Sequence, residues 1–339
     1  MKIAVYTIMK NESKEFFNRW LESCKDADYI IVCDTGTQLT NLEHAQFHGP
    51  SYDRDYKLYN ISINPWRFDD ARNASLALIP ADADICICLD VDEVMRPGWR
   101  EKIEALYTLH PDVTRIRYQY IWSWNNNGTP GLTYYGDKIH TKTGYRWKNP
   151  VHECLITDRI KQVEHYIDEV LIEHHPDNSK SRSHYFPLMK LAIEENPNDD
   201  RMRHYYAREL LYYGEYQEAI KQFKHHINMP EATWDSERAA SWRYLGDCYW
   251  AIGLHNHTAI DCFYEAAKLC PNEREGWVSA AQAHRYLKEW DKCLSCCDKA
   301  LAITERPKSY INSAIAWSDW PLKMLDEATK ELNLLHKKE

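Results

Sequence analysis

Short apolar runs alternate with segments of helical periodicity over the first third of the chain. Strand-like runs cover residues 2–9, 29–33, 85–89 and 115–124. Helical periodicity covers residues 13–24, 70–79 and 99–109. Because strands and helices alternate, this part predicts an α/β fold with a mostly parallel sheet and right-handed crossovers. A polar turn at residues 125–131 predicts a hairpin that continues through residues 145–152.

After residue 185 the strand signals stop, and helical periodicity continues to residue 338. Large, small and aromatic residues recur there at the same offsets of 0, 3, 4 and 7: Trp242, Leu245, Gly246, Tyr249 and then Trp277, Ala280, Ala281, His284. A less regular unit begins at Tyr205. This pattern resembles tetratricopeptide repeats, in which helix pairs bury their inner faces against neighbouring pairs. We therefore predict two domains, 1–185 and 186–339, the second all-α; an irregular helical bundle is the alternative.

The composition is that of a globular protein, with 44% hydrophobic and 27% charged residues in 339. A net charge of −9 argues weakly against nonspecific nucleic-acid binding. It leaves room for a local basic stripe formed by Arg115, Arg117, Lys138, Lys142, Arg146 and Lys148. From the sequence we expect neither a signal peptide nor a membrane span, and its 11 cysteines are an odd number. We therefore expect reduced thiols and a cytoplasmic location.

Three carboxylates follow the apolar run at residues 85–89, namely Asp90, Asp92 and Glu93. In open α/β sheets, ligands bind beyond the carboxyl ends of the strands. Crowded carboxylates repel one another unless a positive group joins them. A divalent cation is the natural candidate, since hard cations take carboxylate and phosphate oxygens. A solvated acidic turn is the alternative.

Five further motifs accompany the carboxylates along the chain: Lys10-Asn11-Glu12, Asp34-Thr-Gly-Thr37, the run from Trp66 to Ala71-Arg72-Asn73, Trp147 with Val151-His152-Glu153, and His174. In this order they resemble the family 2 glycosyltransferases of the GT-A fold, particularly those with C-terminal tetratricopeptide repeats. Two departures stand out. Gln38-Leu39 replaces an expected aspartate, and residues 136–140 replace a segment that often bears arginine.

The resemblance implies a GT-A-like, Rossmann-type sheet and transfer of a sugar from a nucleoside diphosphate donor, by default a UDP-sugar, with inversion. It also implies a divalent cation, Mn²⁺ or Mg²⁺, that stabilises the leaving diphosphate. The metal ligands would be Asp90, Asp92 and His174, with Glu93 alongside. Manganese suits this set because it accepts both carboxylate and imidazole.

By the same resemblance, the donor nucleotide would contact Asn11, Asp34, Asp70, Arg72, Asn73 and Asp90. Direct displacement needs a general base for the acceptor hydroxyl. Glu153 is the first candidate for that base, and Asp137 is the second. For Arg72, the alternative is a surface salt bridge with Asp69 or Asp70. His152 is either functional or a packed residue that orients its neighbour.

The acceptor stays open: a protein or peptide, a glycan, or a hydroxymethylated DNA base of the phage type, held partly by the repeats. Two other functions remain as alternatives, an inactive repeat-based adaptor and a sugar nucleotidyltransferase. The cysteines at 293, 296 and 297 are expected to pack in a helix core rather than bind zinc. The histidines at 225, 226, 255 and 257 are expected to be fillers without carboxylate partners.

Overall fold

The computed structural model describes residues 1–37, 56–177, 185–253 and 256–336. The chain divides into two compact units, Met1–Ser183 and His184–Glu339. The Gln38-Leu39 departure lies outside the described residues. Within the described ranges, no helix combines the length and the apolar character needed to cross a membrane.

The first unit contains three helices and ten strands in its described part. The helices are α1 (Lys14–Cys24), α2 (Phe68–Ala77) and α3 (Trp99–Leu109). The strands are β1 (Ile3–Met9), β2 (Tyr29–Asp34), β3 (Lys57–Asn60), β4 (Ile85–Cys88), β5 (Glu93–Met95), β6 (Arg115–Ile121), β7 (Thr133–Thr141), β8 (Tyr145–Lys148), β9 (Cys154–Thr157) and β10 (Glu164–His174).

Eight of these strands form one mixed sheet in the order β3-β2-β1-β4-β7-β6-β10-β5, and β8 pairs with β9 separately. Strands β7 and β5 run antiparallel to their neighbours, and the other six share one direction. From β1, the chain builds outward to β2 and β3 and later returns to place β4 on the other side. The crevice between the ends of β1 and β4 is therefore a topological switch point, where open α/β sheets bind ligands.

The central strands are buried on both faces, which explains their unbroken apolar runs. Alternate side chains enter two different cores. Ile3 and Ile85 belong to the core on one face, while Ala4 and Cys86 belong to the core on the other. Ser13 is the N-cap of helix α1, and its hydroxyl accepts a hydrogen bond from the Phe16 amide.

The predicted hairpin is wrong in its second strand. The turn at residues 125–131 leads into β7, which pairs antiparallel with β6, while β8 pairs with β9. Strand β7 escaped prediction because Gly136, Asp137 and Lys138 interrupt its apolar pattern. The short strands β3 and β5 were also missed. Each has only three or four residues, too few to show a period.

The second unit is all-helical within its described residues. Its helices are α4 (Tyr185–Glu195), α5 (Asp200–Tyr212), α6 (Tyr216–Ile227), α7 (Asp235–Ala251), α8 (Asn256–Leu269), α9 (Glu275–Tyr286), α10 (Trp290–Leu301) and α11 (Trp320–His336), with a 3₁₀ turn at Ala314–Trp317. Each helix packs against the next in the chain. Such serial packing of short helices is the architecture of a helical repeat.

The repeated small residues lie where neighbouring helices come closest. Gly246 of α7 packs against the ring of Phe263 on α8, and Gly276 of α9 packs against Ala267. A side chain at either position would collide with the facing helix. The cysteines at 293, 296 and 297 are buried in the core formed by α8 to α11.

Candidate functional site

Polar residues gather beyond the carboxyl ends of the parallel strands. Asn11 follows β1, and Asp34 ends β2, where it is in register with Met9. Asp90 follows β4, and His174 ends β10, where it is in register with Glu93 of β5. Because β1, β2, β4 and β10 share one direction, their carboxyl ends lie at the same end of the sheet. This end of the sheet, with the residues that follow the strands, is called the edge below.

Lys138 supplies a positive charge among the carboxylates. Its Nζ donates to Asp90 Oδ2 at 2.6 Å and to Glu93 Oε1 at 2.8 Å. Glu93 also accepts from the Tyr120 hydroxyl at 2.7 Å and from the Asp90 amide at 2.9 Å. The sequence pattern did not single out Lys138 for this role. The crowding of Asp90, Asp92 and Glu93 indicated that a positive group lies nearby, but it did not indicate which residue supplies the charge.

Arg72 supplies the second positive charge, and it is buried. Its Nη1 donates to Asp90 Oδ1 at 2.7 Å and to Cys88 Sγ at 3.0 Å, and its Nε donates to Glu153. The guanidinium also lies over the Trp147 ring, 5.1 Å from its centroid. One side chain thus joins the carboxylate after β4 to the carboxylate before β9. The surface salt bridge considered for Arg72 is absent, because Arg67 takes that role with Asp69.

Asp92 and His174 form a second pair at this edge. Asp92 Oδ2 lies 3.4 Å from His174 Nε2, and the Asp92 carbonyl accepts from the His175 amide at 2.7 Å. On the other side of the ring, His174 Nδ1 lies 3.1 Å from the Trp122 carbonyl, a pure acceptor. Nδ1 must therefore carry the proton and donate it. The indole of Trp122 stacks on the imidazole at 4.2 Å.

The surroundings shift the pKa values of these groups. Burial works against ionisation of Asp90, but the charges of Arg72 and Lys138 outweigh it and hold its pKa well below the usual range. Burial raises the pKa of Glu93, with further help from the charges of Asp90 and Asp92. Burial lowers the pKa of His174, but the hydrogen bond and charge of Asp92 outweigh it, so the net shift is upward.

The backbone before Glu153 is unusual. Asn149 and His152, which lie in the turn between β8 and β9, have φ of 86° and 48°. Non-glycine residues at positive φ are uncommon and cluster at functional sites. The Pro150 carbonyl in the same turn accepts from the Phe68 amide at the start of α2. This contact ties the Glu153 turn to the helix that carries Arg72.

Three other residues predicted to contact the donor nucleotide take part in hydrogen bonds that hold the backbone. Asp34 Oδ1 accepts from the amides of Gly36 and Thr37, at 3.0 and 2.8 Å, and thereby holds the turn after β2. The Asn11 amide donates to the Thr37 hydroxyl. Asn73 forms a two-way pair with the backbone of Trp147, so its amide is engaged in joining α2 to β8. Asp34 and Asn11 are thus at the edge, while Asn73 braces it.

Two predicted residues are not brought to this cluster. Asp70 is exposed in the first turn of α2, with its carboxylate 3.8 Å from Arg67. Asp137 neighbours Lys138 on β7, so the two side chains leave opposite faces of the sheet. It pairs with Arg115 and Arg117, at 2.5 and 3.0 Å. The structure therefore does not bring Asp137, the second candidate for the general base, to the carboxylate cluster.

The predicted basic stripe does not form a free cationic surface. Arg117 pairs with Glu164 as well as with Asp137, and Lys142 donates to the Leu76 carbonyl. Arg146 pairs with Asp158 at 3.2 Å. Lys138 faces the carboxylate cluster instead. The structure therefore gives no support to nucleic-acid binding along this stripe.

Two of the three predicted metal ligands, Asp92 and His174, are arranged as ligands of a divalent cation would be. His174 has its Nδ1–H bonded to a carbonyl, which leaves the Nε2 lone pair facing the Asp92 carboxylate; this arrangement is usual for metal-binding histidines. A separation of 3.4 Å suits two ligands of one ion. Asp90 fits less well, since Arg72 and Lys138 occupy its two oxygens. Four carboxylates face two cationic side chains, so the cluster also has negative charge in excess.

No protein-family model and no curated protein sequence matches the chain. Solved structures that resemble it in part include that of MamA, with 17% identity over 44% of this chain and 77% of that one, at a TM-score of 0.31. The Sgt2 TPR domain from Aspergillus fumigatus has 12% identity over 41% and 82%, at a TM-score of 0.33. The APC/C hetero-tetramer Cut9-Hcn1 has 17% identity over 42% and 26%, at a TM-score of 0.34. At these TM-scores, the similarities establish neither a family nor a function for the chain.

Proposed function

We propose that the chain is an inverting, metal-dependent glycosyltransferase of the GT-A type, joined to tetratricopeptide-like repeats. The observation that carries this proposal is the Asp92–His174 pair beyond the carboxyl ends of the parallel strands, next to the carboxylates bridged by Arg72 and Lys138. A cation-binding pair beside fixed cationic side chains suits a nucleoside diphosphate sugar, by default a UDP-sugar. The acceptor class is a macromolecule, held partly by the repeats.

Asp92 and His174 would hold the cation, Mn²⁺ or Mg²⁺, which when bound supplies charge stabilisation for a departing diphosphate. Asn11 and Asp34 lie beyond β1 and β2, on the side where the nucleoside would extend. Arg72 and Lys138 hold Asp90 in one orientation, so that its backbone and that of Asp92 stay fixed. The rigid edge then presents Asp92 and His174 without reorganisation.

Glu153 is the proposed general base. The acceptor hydroxyl gives its proton to the Glu153 carboxylate as its oxygen bonds to the anomeric carbon. The bond from that carbon to the phosphate oxygen breaks, and the diphosphate leaves with the electron pair. Arg72 holds Glu153 through Nε, so the carboxylate is oriented toward the same edge as the cation pair.

A thermal-shift panel of nucleotide sugars with Mn²⁺ would identify the donor, and donor hydrolysis with and without EDTA would then measure activity. Glu153→Gln keeps an oxygen for Arg72 but removes the base, so turnover should fall about 10²–10⁴-fold with donor binding retained. Glu164→Gln is the matched control, a carboxylate paired with Arg117 outside the cluster. It should leave turnover unchanged.

The cation role is tested by Asp92→Asn and His174→Gln, which should both abolish Mn²⁺-dependent hydrolysis. Turnover that is insensitive to EDTA would contradict the proposal. Release of pyrophosphate when a nucleoside triphosphate and a sugar 1-phosphate are supplied as substrates would indicate a nucleotidyltransferase instead. An absence of any shift across the nucleotide-sugar panel would leave the inactive adaptor as the better account. Wild-type turnover in Glu153→Gln would remove Glu153 from the role of base.

A further inference from the structure

Three side chains with metal-binding atoms meet within the helical unit. Asp200 is the first residue of α5, His226 lies at the end of α6, and Glu237 lies in the first turn of α7. One ligand atom from each lies within 4.8 Å of the others. Among the described residues, no other group of three such side chains comes together so closely. The sequence pattern had suggested that His226 has no carboxylate partner, and that suggestion is wrong.

His226 points an unpaired nitrogen into this group. The side chain is fully buried, and its Nε2 has no hydrogen-bond partner among the described residues. That nitrogen lies 3.5 Å from Glu237 Oε1. The other ring nitrogen, Nδ1, lies 2.8 Å from the Ser241 hydroxyl, which in turn lies 2.7 Å from Nδ1 of His204.

This chain of hydrogen bonds has a tautomer that suits a metal ligand. A hydroxyl has one proton to donate and lone pairs to accept. If His226 donates from Nδ1 to Ser241 and Ser241 donates to His204, the lone pair of His226 Nε2 faces the Glu237 carboxylate. A lone pair and a carboxylate that face each other in a buried space repel, unless a cation lies between them.

Glu237 accepts a hydrogen bond on the side away from His226, as carboxylates that bind metal ions commonly do. It is almost completely buried, and its Oε2 accepts from the Tyr310 hydroxyl at 2.5 Å. Its Oε1 is the oxygen that faces His226. Both buried ligands are therefore oriented by a second hydrogen bond on the side away from the group, as in protein metal centres.

We propose that Asp200, His226 and Glu237 bind a divalent transition-metal ion of the zinc class. One imidazole and two carboxylates suit such an ion better than calcium, which takes oxygen ligands. Zinc lies about 2.0–2.2 Å from nitrogen and oxygen ligands, so tetrahedral neighbours are roughly 3.4 Å apart. The His226–Glu237 separation matches this value. Asp200 is only partly buried, and its carboxylate lies within 4.8 Å of the other two ligand atoms, so a side-chain rotation would be enough to bring it to the ion.

The ion would join the ends of three consecutive helices, in a unit separate from the catalytic edge. Its role is to fix the first helix pairs of the repeat relative to one another. The inference does not depend on the proposed transferase function, because all of its residues belong to the second unit.

The full chain, stripped of metal, is titrated with Zn²⁺ by calorimetry in an Asp92→Asn background, which removes the proposed catalytic pair. One equivalent should bind. Adding His226→Gln should weaken that binding more than about 100-fold, and adding Tyr310→Phe, which removes an outer hydrogen bond, should weaken it about 10–100-fold. His225→Gln is the matched control, an exposed histidine one residue away, and should have no effect.

Thermal unfolding separates the site from a folding defect, since a buried substitution such as His226→Gln can disturb the core. Zn²⁺ should raise the Tm of the Asp92→Asn protein. It should not raise the Tm when Asp200→Asn is added, a substitution at a partly exposed position. No bound Zn²⁺ in the Asp92→Asn background, or binding that survives Asp200→Asn and His226→Gln unchanged, would overturn the proposal in favour of a buried His226–Glu237 ion pair.

Discussion

Replacement of Lys138 by methionine tests how the carboxylate cluster is held together. Methionine keeps the length and apolar stem of lysine but removes the charge that contacts Asp90 and Glu93 at 2.6 and 2.8 Å. Asp90 keeps its contact with Arg72, so the main loss falls on Glu93. Removing one partner of a buried ion pair costs about 3–5 kcal/mol, because the other charge is left unpaired.

Protonation of Glu93 sets a ceiling on this cost. Its ordinary pKa is 4.5, so binding a proton at pH 7 costs roughly 3.4 kcal/mol, at 1.36 kcal/mol per pH unit. In the variant, Glu93 binds a proton whenever keeping its carboxylate charged and unpaired would cost more free energy than protonation. At pH 5 the same route costs about 0.7 kcal/mol. We therefore expect Lys138→Met to destabilise the first unit by about 3 kcal/mol at pH 7 and by about 1 kcal/mol at pH 5.

The sign of this pH dependence follows from proton linkage. Glu93 has a raised pKa in the folded state, and loss of Lys138 raises it further. The folded state then binds more protons than the unfolded state, so stability is greatest below the unfolded pKa and falls as pH rises through the folded pKa. The variant should therefore lose stability between pH 5 and pH 7 more steeply than the parent protein.

Urea denaturation followed by circular dichroism at pH 5 and pH 7 measures these differences. Because the chain has two units, it can unfold in two transitions, and only one should shift. Adding Glu93→Gln to the variant should restore most of the stability at pH 7, since glutamine needs no proton. The exposed Lys161→Met is the control. An equal loss at both pH values, or a loss under 1 kcal/mol at pH 7, would refute the reasoning.

Three further outcomes can be measured. Arg72→Lys, which cannot bridge two carboxylates as a planar fork, should lower kcat at least about 10²-fold at saturating donor. Mn²⁺ affinity should fall on acidification from a higher pH than for an ordinary histidine, because the raised pKa of His174 lets protons compete earlier; calorimetric titration at several pH values tests this. Gly246→Ala should destabilise the helical unit by about 1–2 kcal/mol in thermal unfolding despite better helix propensity, since its Cβ would lie 2.8 Å from Cδ1 of Phe263.

The elements that could be predicted are those whose pattern is local. The strand at residues 85–88 is buried on both faces, so its apolar run is unbroken, and Trp99–Leu109 matches the predicted helix at both ends. Strand β7 could not be predicted, since its charged residues find partners on other strands. Asp137 is balanced by Arg115, and Lys138 by Asp90. Such long-range pairs leave no periodic trace in one sequence.

The same distinction separates the parts of the candidate site. Arg72, Asp90 and Glu153 were selected from motifs, and one guanidinium joins them in the structure. Whether they act in transfer stays a prediction. Lys138 was not selected, because a lysine within a strand resembles any exposed residue until the sheet order is known. Asp137 was selected because it lies in the segment 136–140, but side chains alternate along a strand, so it lies on the face of the sheet opposite to Lys138.

The charge balance of the cluster predicts that cation and donor bind cooperatively. The carboxylates of Asp90, Asp92, Glu93 and Glu153 outnumber the cationic side chains, and a donor diphosphate would add more negative charge. A diphosphate therefore meets net repulsion at this edge unless a cation binds with it. Cation and donor should then raise each other's affinity by the same factor, because coupling between two binding sites is reciprocal. A protein surface that served only as a scaffold would gain nothing from holding this excess of charge in one place.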